Sequence, residues 1–367
     1  MGESAGLPWL IAIFICQTVS PELPYYYNKV LLDENGVGVV AMWVNRFKLV
    51  VLGQLVALVC GCSSMEDPWK GVQGSPKVLV TFPPLFSMVK QVAGDGAAVQ
   101  CLCTTTGPHH YNYNARDAIL LRNADLFFSV GLGLDDHFVG KMLATDSKKK
   151  VQHVALGKLL VPQNLCLLSP EEEHDHSAPG HDHHHHHHGE HDPHVWLGTK
   201  QCKAMAVDIA RYLGEQDPAN RDKYHANAKI FGERMDALKK QGRDQLASKK
   251  ENRLISFHPS LAYLADTMAL QIVDTIQINP GAEPDAKRLA KLIQKCVDEK
   301  IQVLAVEPQY PTTTASKLIL EELKRKGIDA KMVEVDPLET AEAGELSAGW
   351  FEKKMAENLK ALVEILP

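Results

Sequence analysis

Ten histidines crowd into positions 174–191 of this 367-residue chain: His174, His176, His181, His183, His184, His185, His186, His187, His188 and His191. Acidic residues such as Asp175, Asp182 and Glu190 are threaded among them. The surrounding stretch, 171–194, has no apolar periodicity. It cannot bury a core and must form a solvated loop. Imidazole and carboxylate together suit borderline divalent metals, zinc first, with copper and nickel as competitors. Such a loop binds ions weakly and raises their local concentration. A hexahistidine at 183–188 would by itself match a purification tag, but this one is internal and has histidines scattered on both sides.

A tight site would need metal-type residues on folded elements. Strand-like runs at 77–82, 97–103, 125–130 and 151–156 alternate with helical patterns at 85–92, 116–123, from about 135, and at 199–214. Asp217-Pro218 then reads as a helix start, an N-cap followed by proline in the first turn. Tyr224, Ala228, Phe231, Met235 and Leu238 follow at spacings of three and four. Carried to about residue 250, this helix would span roughly 50 Å, too long for a crossover within one compact lobe. Beyond it, strands at 254–257, 271–278, 301–306 and 330–335 alternate with helices at 261–268, 285–300, 314–326 and 350–366. The fold class expected is α/β, with two doubly wound lobes (77–216 and 253–367) joined by one long connecting helix (217–252).

Open α/β sheets bind ligands beyond the carboxyl ends of their strands. That rule selects His109 and His110 after the second strand, His258 after the strand at 254–257, and Asp336 after the strand at 330–335. His194 closes the His-rich loop. Taken singly, a histidine after a strand is ordinarily a hydrogen-bonded loop residue, and an aspartate before proline is a common turn former. The case for a metal site in the interlobe cleft is the coincidence of position across both lobes. His137, His153 and His225 lack such placement and are expected on the surface.

The net charge of −6 and the absence of a basic stripe exclude a nucleic-acid binder. At the N-terminus, Arg46 and Lys48 precede an apolar run, 49–59, too short to span a membrane and suited to a secretory signal. It ends in Val59-Cys60-Gly61-Cys62. A small residue before a cysteine here resembles the bacterial lipobox, with Cys62 becoming the lipidated first residue; a plain signal peptide cut nearby is the alternative. Residues 63–76 would then be a flexible tether. Met42 opens a normal signal, 42–62, so 1–41 reads as a non-native upstream extension. After Cys62, five cysteines remain, an odd number without CxxC spacing, and most are expected as buried thiols.

Several segments carry a family resemblance. Gly107-Pro108-His109-His110-Tyr111, with Asp117 and Asn123-Ala124-Asp125-Leu126 downstream, resembles the first metal motif of the zinc-binding proteins of ABC importers, in the metal-specific cluster of solute-binding proteins. Asp192-Pro193-His194-Val195-Trp196-Leu197 resembles the second motif, again after a His-rich loop. Phe257-His258-Pro259-Ser260 with Tyr263 resembles the third. Val306-Glu307-Pro308-Gln309-Tyr310 and Val335-Asp336-Pro337-Leu338 also match. The resemblance runs from about Lys77 to the C-terminus, and the motifs in this order are specific where Pro-His-x-Tyr alone would be weak.

The resemblance implies His109, His194 and His258 as metal ligands, with His109 preferred over His110. Asp336 sits where relatives supply a carboxylate oxygen, with water as the other possible fourth ligand. Manganese relatives place a carboxylate at the third position; His258 there favours zinc. The implied function is an extracytoplasmic, lipid-anchored monomer that carries Zn²⁺ to the permease of an ABC importer and is not an enzyme. Two departures from the family pattern stand out: Gly198, where an acid is common, and Glu339, where glycine is common. Both are expected outside the ligand set. Manganese or another divalent ion is the alternative cargo. A storage or adhesive protein would make the loop primary. A zinc hydrolase could use three histidines and Glu307 as base, but HExxH and GxSxG are missing.

Overall fold

A computed structural model describes residues 67–145, 151–169, 190–277, 283–308, 314–342 and 344–367. The upstream extension, the signal segment, Cys62 and the loop histidines from His174 to His188 lie outside the described residues. All the described residues belong to one compact unit, Glu66–Pro367.

Two four-stranded parallel sheets organise the chain. The first holds β1 (Lys77–Val80), β2 (Ala98–Cys101), β3 (Leu126–Ser129) and β4 (Gln152–Ala155), in the order β2-β1-β3-β4. The second repeats the pattern with β5 (Arg253–Ser256), β6 (Gln271–Thr275), β7 (Val303–Val306) and β8 (Lys331–Glu334), in the order β6-β5-β7-β8. The helices between them are α1 (Pro83–Ala93), α2 (Ala115–Asn123), α3 (Asp136–Thr145), α4 (Thr199–Gln216), α5 (Arg221–Leu246), α6 (Ala262–Met268), α7 (Ala286–Asp298), α8 (Thr314–Arg325) and α9 (Trp350–Ile365). The two α/β lobes and the long connecting helix expected from the strand–helix alternation are present. In both sheets the strand order reverses beside the first strand, which opens a crevice at the carboxyl ends.

The central strands of the second sheet, β5 and β7, are buried on both faces, as is usual for parallel strands. Successive side chains alternate sides. Leu254, Val303 and Ala305 face a core shared with the first lobe, which also takes in Val78, Phe82, Trp196, Phe231 and Trp350. Ile255, Phe257 and Leu304 face a separate core under α7 and α8, with Leu292, Cys296, Ile319 and Leu323.

The connector is shorter than its periodicity suggested. Asp217 does not cap it: its Oδ2 accepts from Asn220 Nδ2 at 2.6 Å and from Tyr224 Oη at 2.7 Å. A 3-10 turn, Pro218–Asn220, comes first, and α5 then runs 26 residues, Arg221–Leu246, about 39 Å. It packs along α4, α1, α6 and α9, so it touches both lobes. The C-terminal α9 also crosses: Ser87 Oγ donates to Ala348 O at 2.6 Å, and Phe351 N donates to Ser87 Oγ at 3.2 Å.

The tether expected at 63–76 ends earlier than anticipated. Trp69 is buried, and its indole Nε1 donates to Leu120 O at 3.1 Å, so the chain is fixed on the first lobe from about that residue. His137 and His153, expected on the surface, are half-buried and hydrogen-bonded, to Tyr111 O at 3.2 Å and Ser129 Oγ at 2.8 Å respectively. His225 is exposed as expected. The five described cysteines are free thiols. Burial pushes Cys101, Cys103 and Cys202 far above the ordinary thiol range and lifts Cys296 to about 12, so these four are inert.

Candidate metal centre

Four loops converge where the two sheets present their carboxyl ends. His109 sits in a 3-10 turn, Pro108–His110, after β2. Asp117 holds that loop: its Oδ2 accepts from Tyr111 Oη at 2.7 Å and Asn114 N at 2.8 Å, while Asn114 caps α2 in return. His194 precedes the short turn Val195–Leu197 that leads into α4. The base of the His-rich loop delivers it there: Ser169 N donates to Glu190 O, Asp192 N to Leu167 O, and Leu168 bridges His191. His258 follows β5 by two residues, and Glu339 lies in the loop after β8.

These four side chains form the potential metal-holding group found among the described residues, their ligand atoms all within 4.8 Å of one another. Glu339 Oε1 lies 3.4 Å from His109 Nε2, 3.7 Å from His194 Nε2 and 4.0 Å from His258 Nε2. In a tetrahedral zinc site with bonds near 2.0–2.1 Å, neighbouring ligand atoms stand about 3.3 Å apart. Glu339 Oε1 stands close to that spacing from His109 and His194, and a contraction of up to about 1.5 Å between the remaining ligand atoms would close this group around an ion. The His258 Nε2 and Glu339 Oε1 atoms are buried and make no hydrogen bond, a costly arrangement that a bound cation would relieve.

Carboxylates behind the histidines set their orientation. His194 Nδ1 lies 2.7 Å from Asp192 Oδ1, with both side chains buried. His258 Nδ1 pairs closely with Glu307, which also accepts from Ser260 Oγ at 3.2 Å. Each pair places a proton on Nδ1 and leaves the Nε2 lone pair facing the centre. Burial opposes a charge on His258, but Glu307 pulls harder and raises its pKa. Burial likewise works against the Glu339 carboxylate; the surrounding His109, His258 and His194 outweigh it and hold Glu339 down at about 2. Gly107 makes room for that carboxylate. A Cβ at Gly107 would come within 2.9 Å of Glu339 Oε2.

The three histidines expected as ligands are therefore brought together, and His110 is exposed at the rim. Asp336, expected as the fourth ligand, is not in the group; Glu339, expected outside it, is. Asp336 lies at the mouth of β8 but spends its Oδ1 on Leu338 N at 2.8 Å. Burial lifts the Asp336 carboxyl to about 6.

Residues 78–365 match the family described as zinc-uptake complex component A, periplasmic. The chain belongs to that family. The zinc-binding lipoprotein AdcA of Streptococcus pneumoniae is 31% identical over 325 residues, covering 87% of this chain and 60% of AdcA. The chain thus spans about 60% of the length of that relative. The structure of Zn(II)-bound AdcA superposes with a TM-score of 0.59 at 28% identity, over 80% of this chain and 58% of AdcA. The high-affinity zinc uptake system protein ZnuA of Brucella abortus is 28% identical over 319 residues, covering 80% of this chain and 91% of ZnuA. The solute-binding protein FpvC of Pseudomonas aeruginosa, solved with Mn²⁺, shares the fold with a TM-score of 0.65 at 24% identity, over 79% of this chain and 98% of FpvC.

The departure at Gly198 has a local reason in this member of the zinc-uptake family. Gly198 opens α4 against Gln201 and Tyr263, and a Cβ there would meet Gln201 Oε1 at 2.1 Å. Tyr263 in turn donates from Oη to Asp192 O at 2.8 Å, which ties α6 to the loop carrying His194.

Proposed function

We propose that this chain captures Zn²⁺ outside the cytoplasm and hands it to the permease of an ABC importer. The observation that carries the reading is the buried convergence of three imidazoles and one carboxylate from four loops of both lobes. Three nitrogen donors and a single oxygen suit zinc better than the oxygen-rich surroundings that manganese prefers. The ion would be held by His109, His194, His258 and Glu339. Membership of a periplasmic zinc-uptake family and the zinc-binding and zinc-uptake relatives support the cargo and the location. The lipoprotein name of AdcA supports a membrane anchor at Cys62. The His-rich loop leads directly into Asp192 and His194, so ions gathered on it would be released at the edge of the tight site. A carrier must also let go. The core shared by both lobes resists wide closure, so capture and release would proceed by small shifts of the ligand loops.

Zinc titration of the full chain by calorimetry, with a competing chelator to silence the weak loop sites, tests the reading beside His258→Ala. One tight site is expected, weakened by at least about 100-fold in the variant, since losing a ligand costs more than losing a group behind one. A tight site that survives His258→Ala would move the function to the loop.

A further inference from the structure

Asp336 occupies the place where a ligand was expected, yet its surroundings give it other work. Its Oδ1 accepts from Leu338 N at 2.8 Å, the turn that an aspartate makes with the backbone two residues on. Leu338 has φ of +66°, a left-handed conformation that costs energy for a branched residue and persists only where its surroundings enforce it. Three further contacts enforce it. Asn358 of α9 clamps the Asp336 backbone twice, accepting from Asp336 N at 2.8 Å and donating to Asp336 O at 2.7 Å. Trp196, two residues after His194, donates from Nε1 to Pro337 O at 2.7 Å. Ala341 N donates to Thr104 O in the loop before His109, at 2.8 Å. Glu339 stands between these last two anchors and joins the cluster from this loop.

We infer that Asp336 is a positioning residue: it sets the left-handed turn that delivers Glu339 to the ion, and is not itself a ligand. The inference rests on the zinc reading above and deepens it. A turn of this kind needs only an oxygen acceptor at position 336, whereas a ligand needs a carboxylate. Asparagine keeps the acceptor and removes the charge; alanine removes both.

The test is zinc affinity of the full chain by chelator competition, for wild type, Asp336→Asn, Asp336→Ala and Glu339→Gln, with the cobalt(II) absorption spectrum of each and thermal unfolding of each apo form. Asp336→Asn is expected to bind zinc within about threefold of wild type and to keep the wild-type cobalt spectrum. Asp336→Ala is expected to lose on the order of 10–100-fold, the usual range for a group that orients a ligand. Glu339→Gln is expected to change the cobalt spectrum. A folded Asp336→Asn that loses as much as Glu339→Gln, or a folded Asp336→Ala that binds like wild type, overturns the inference and leaves the zinc reading standing. If Asp336→Ala does not fold, the Asp336→Asn result decides. A wild-type chain with no tight site overturns the zinc reading, and this inference with it.

Discussion

The two faces of the second sheet do different jobs. The inner face joins the first lobe in one continuous core through α5, α6 and α9. The outer face closes a small core of its own under α7 and α8. His258 and Glu307 emerge from the two strands, β5 and β7, that separate these cores, while the Glu339 loop is pinned on the inner side by Asn358 and Trp196. The site thus borrows rigidity from the face that spans both lobes. The outer layer can be altered with less consequence for the geometry of the ligands.

Core truncations sharpen that contrast most. Phe351→Ala cuts into the inner core, where the buried ring lies near Phe231, and is expected to cost about 3–5 kcal/mol in urea unfolding and to weaken zinc binding as well. Ile319→Ala in the outer core is expected to cost about 2–5 kcal/mol and to leave zinc affinity near wild type. Equal losses of affinity in the two variants would erase the distinction.

A finer test removes one hydrogen-bond donor from the cross-lobe contact. Trp196→Phe keeps an aromatic ring against Phe82 but strands Pro337 O without its donor. The expected cost is about 1–3 kcal/mol, from a buried acceptor left unpaired. Zinc affinity measured beside stability should fall too, because Pro337 lies two residues before Glu339. Unchanged affinity would separate the loop from the inner core.

The smallest expected effect is on pH dependence. Ligand imidazoles bind zinc only when neutral. Glu307 raises the pKa of His258 against burial, so proton competition should begin above the ordinary histidine value of about 6.5, and affinity should decline as pH falls through that range. Glu339, held at about 2, stays ionised throughout. The apo fold should respond with the opposite sign. A raised histidine pKa contributes stability that is present at low pH and lost as pH rises through the folded value. Calorimetry and apo unfolding between about pH 5 and 8 check both slopes, and Glu307→Gln should move the affinity profile to lower pH. Parallel slopes in apo and zinc-loaded protein would contradict this account.

Much of the site was legible in the residues. His109, His194 and His258 could be found because polar residues just beyond parallel strands line the same crevice, and the motifs around them are specific. The alternation of strands and helices determined the two α/β lobes, since each parallel pair needs a crossover. The continuous hydrophobicity of β7, Val303–Val306, announced burial on both faces but not which face would join the first lobe. The connector starts later than its periodicity suggested because Asp217 turned to Tyr224 and Asn220 instead of capping the helix, and it stops at Leu246. Glu339 was missed because a position directly after a strand looks like the place for a ligand, and Asp336 held it. The signal that could have pointed to Glu339 was the Asp-Pro-Leu turn itself: an aspartate before proline commonly folds back on its own backbone, which makes the next acid the one to weigh.

The amino-acid sequence by itself determined the lobes, the three imidazoles and their suitability for a borderline divalent metal, because these follow from periodicity and from the chemistry of side chains at strand ends. Only the tertiary structure decided which carboxylate completes the group. That choice depends on a left-handed residue at Leu338, on the space left by Gly107 and on hydrogen bonds from Trp196 and Asn358, contacts between segments up to 232 residues apart (107 to 339) that local sequence does not encode.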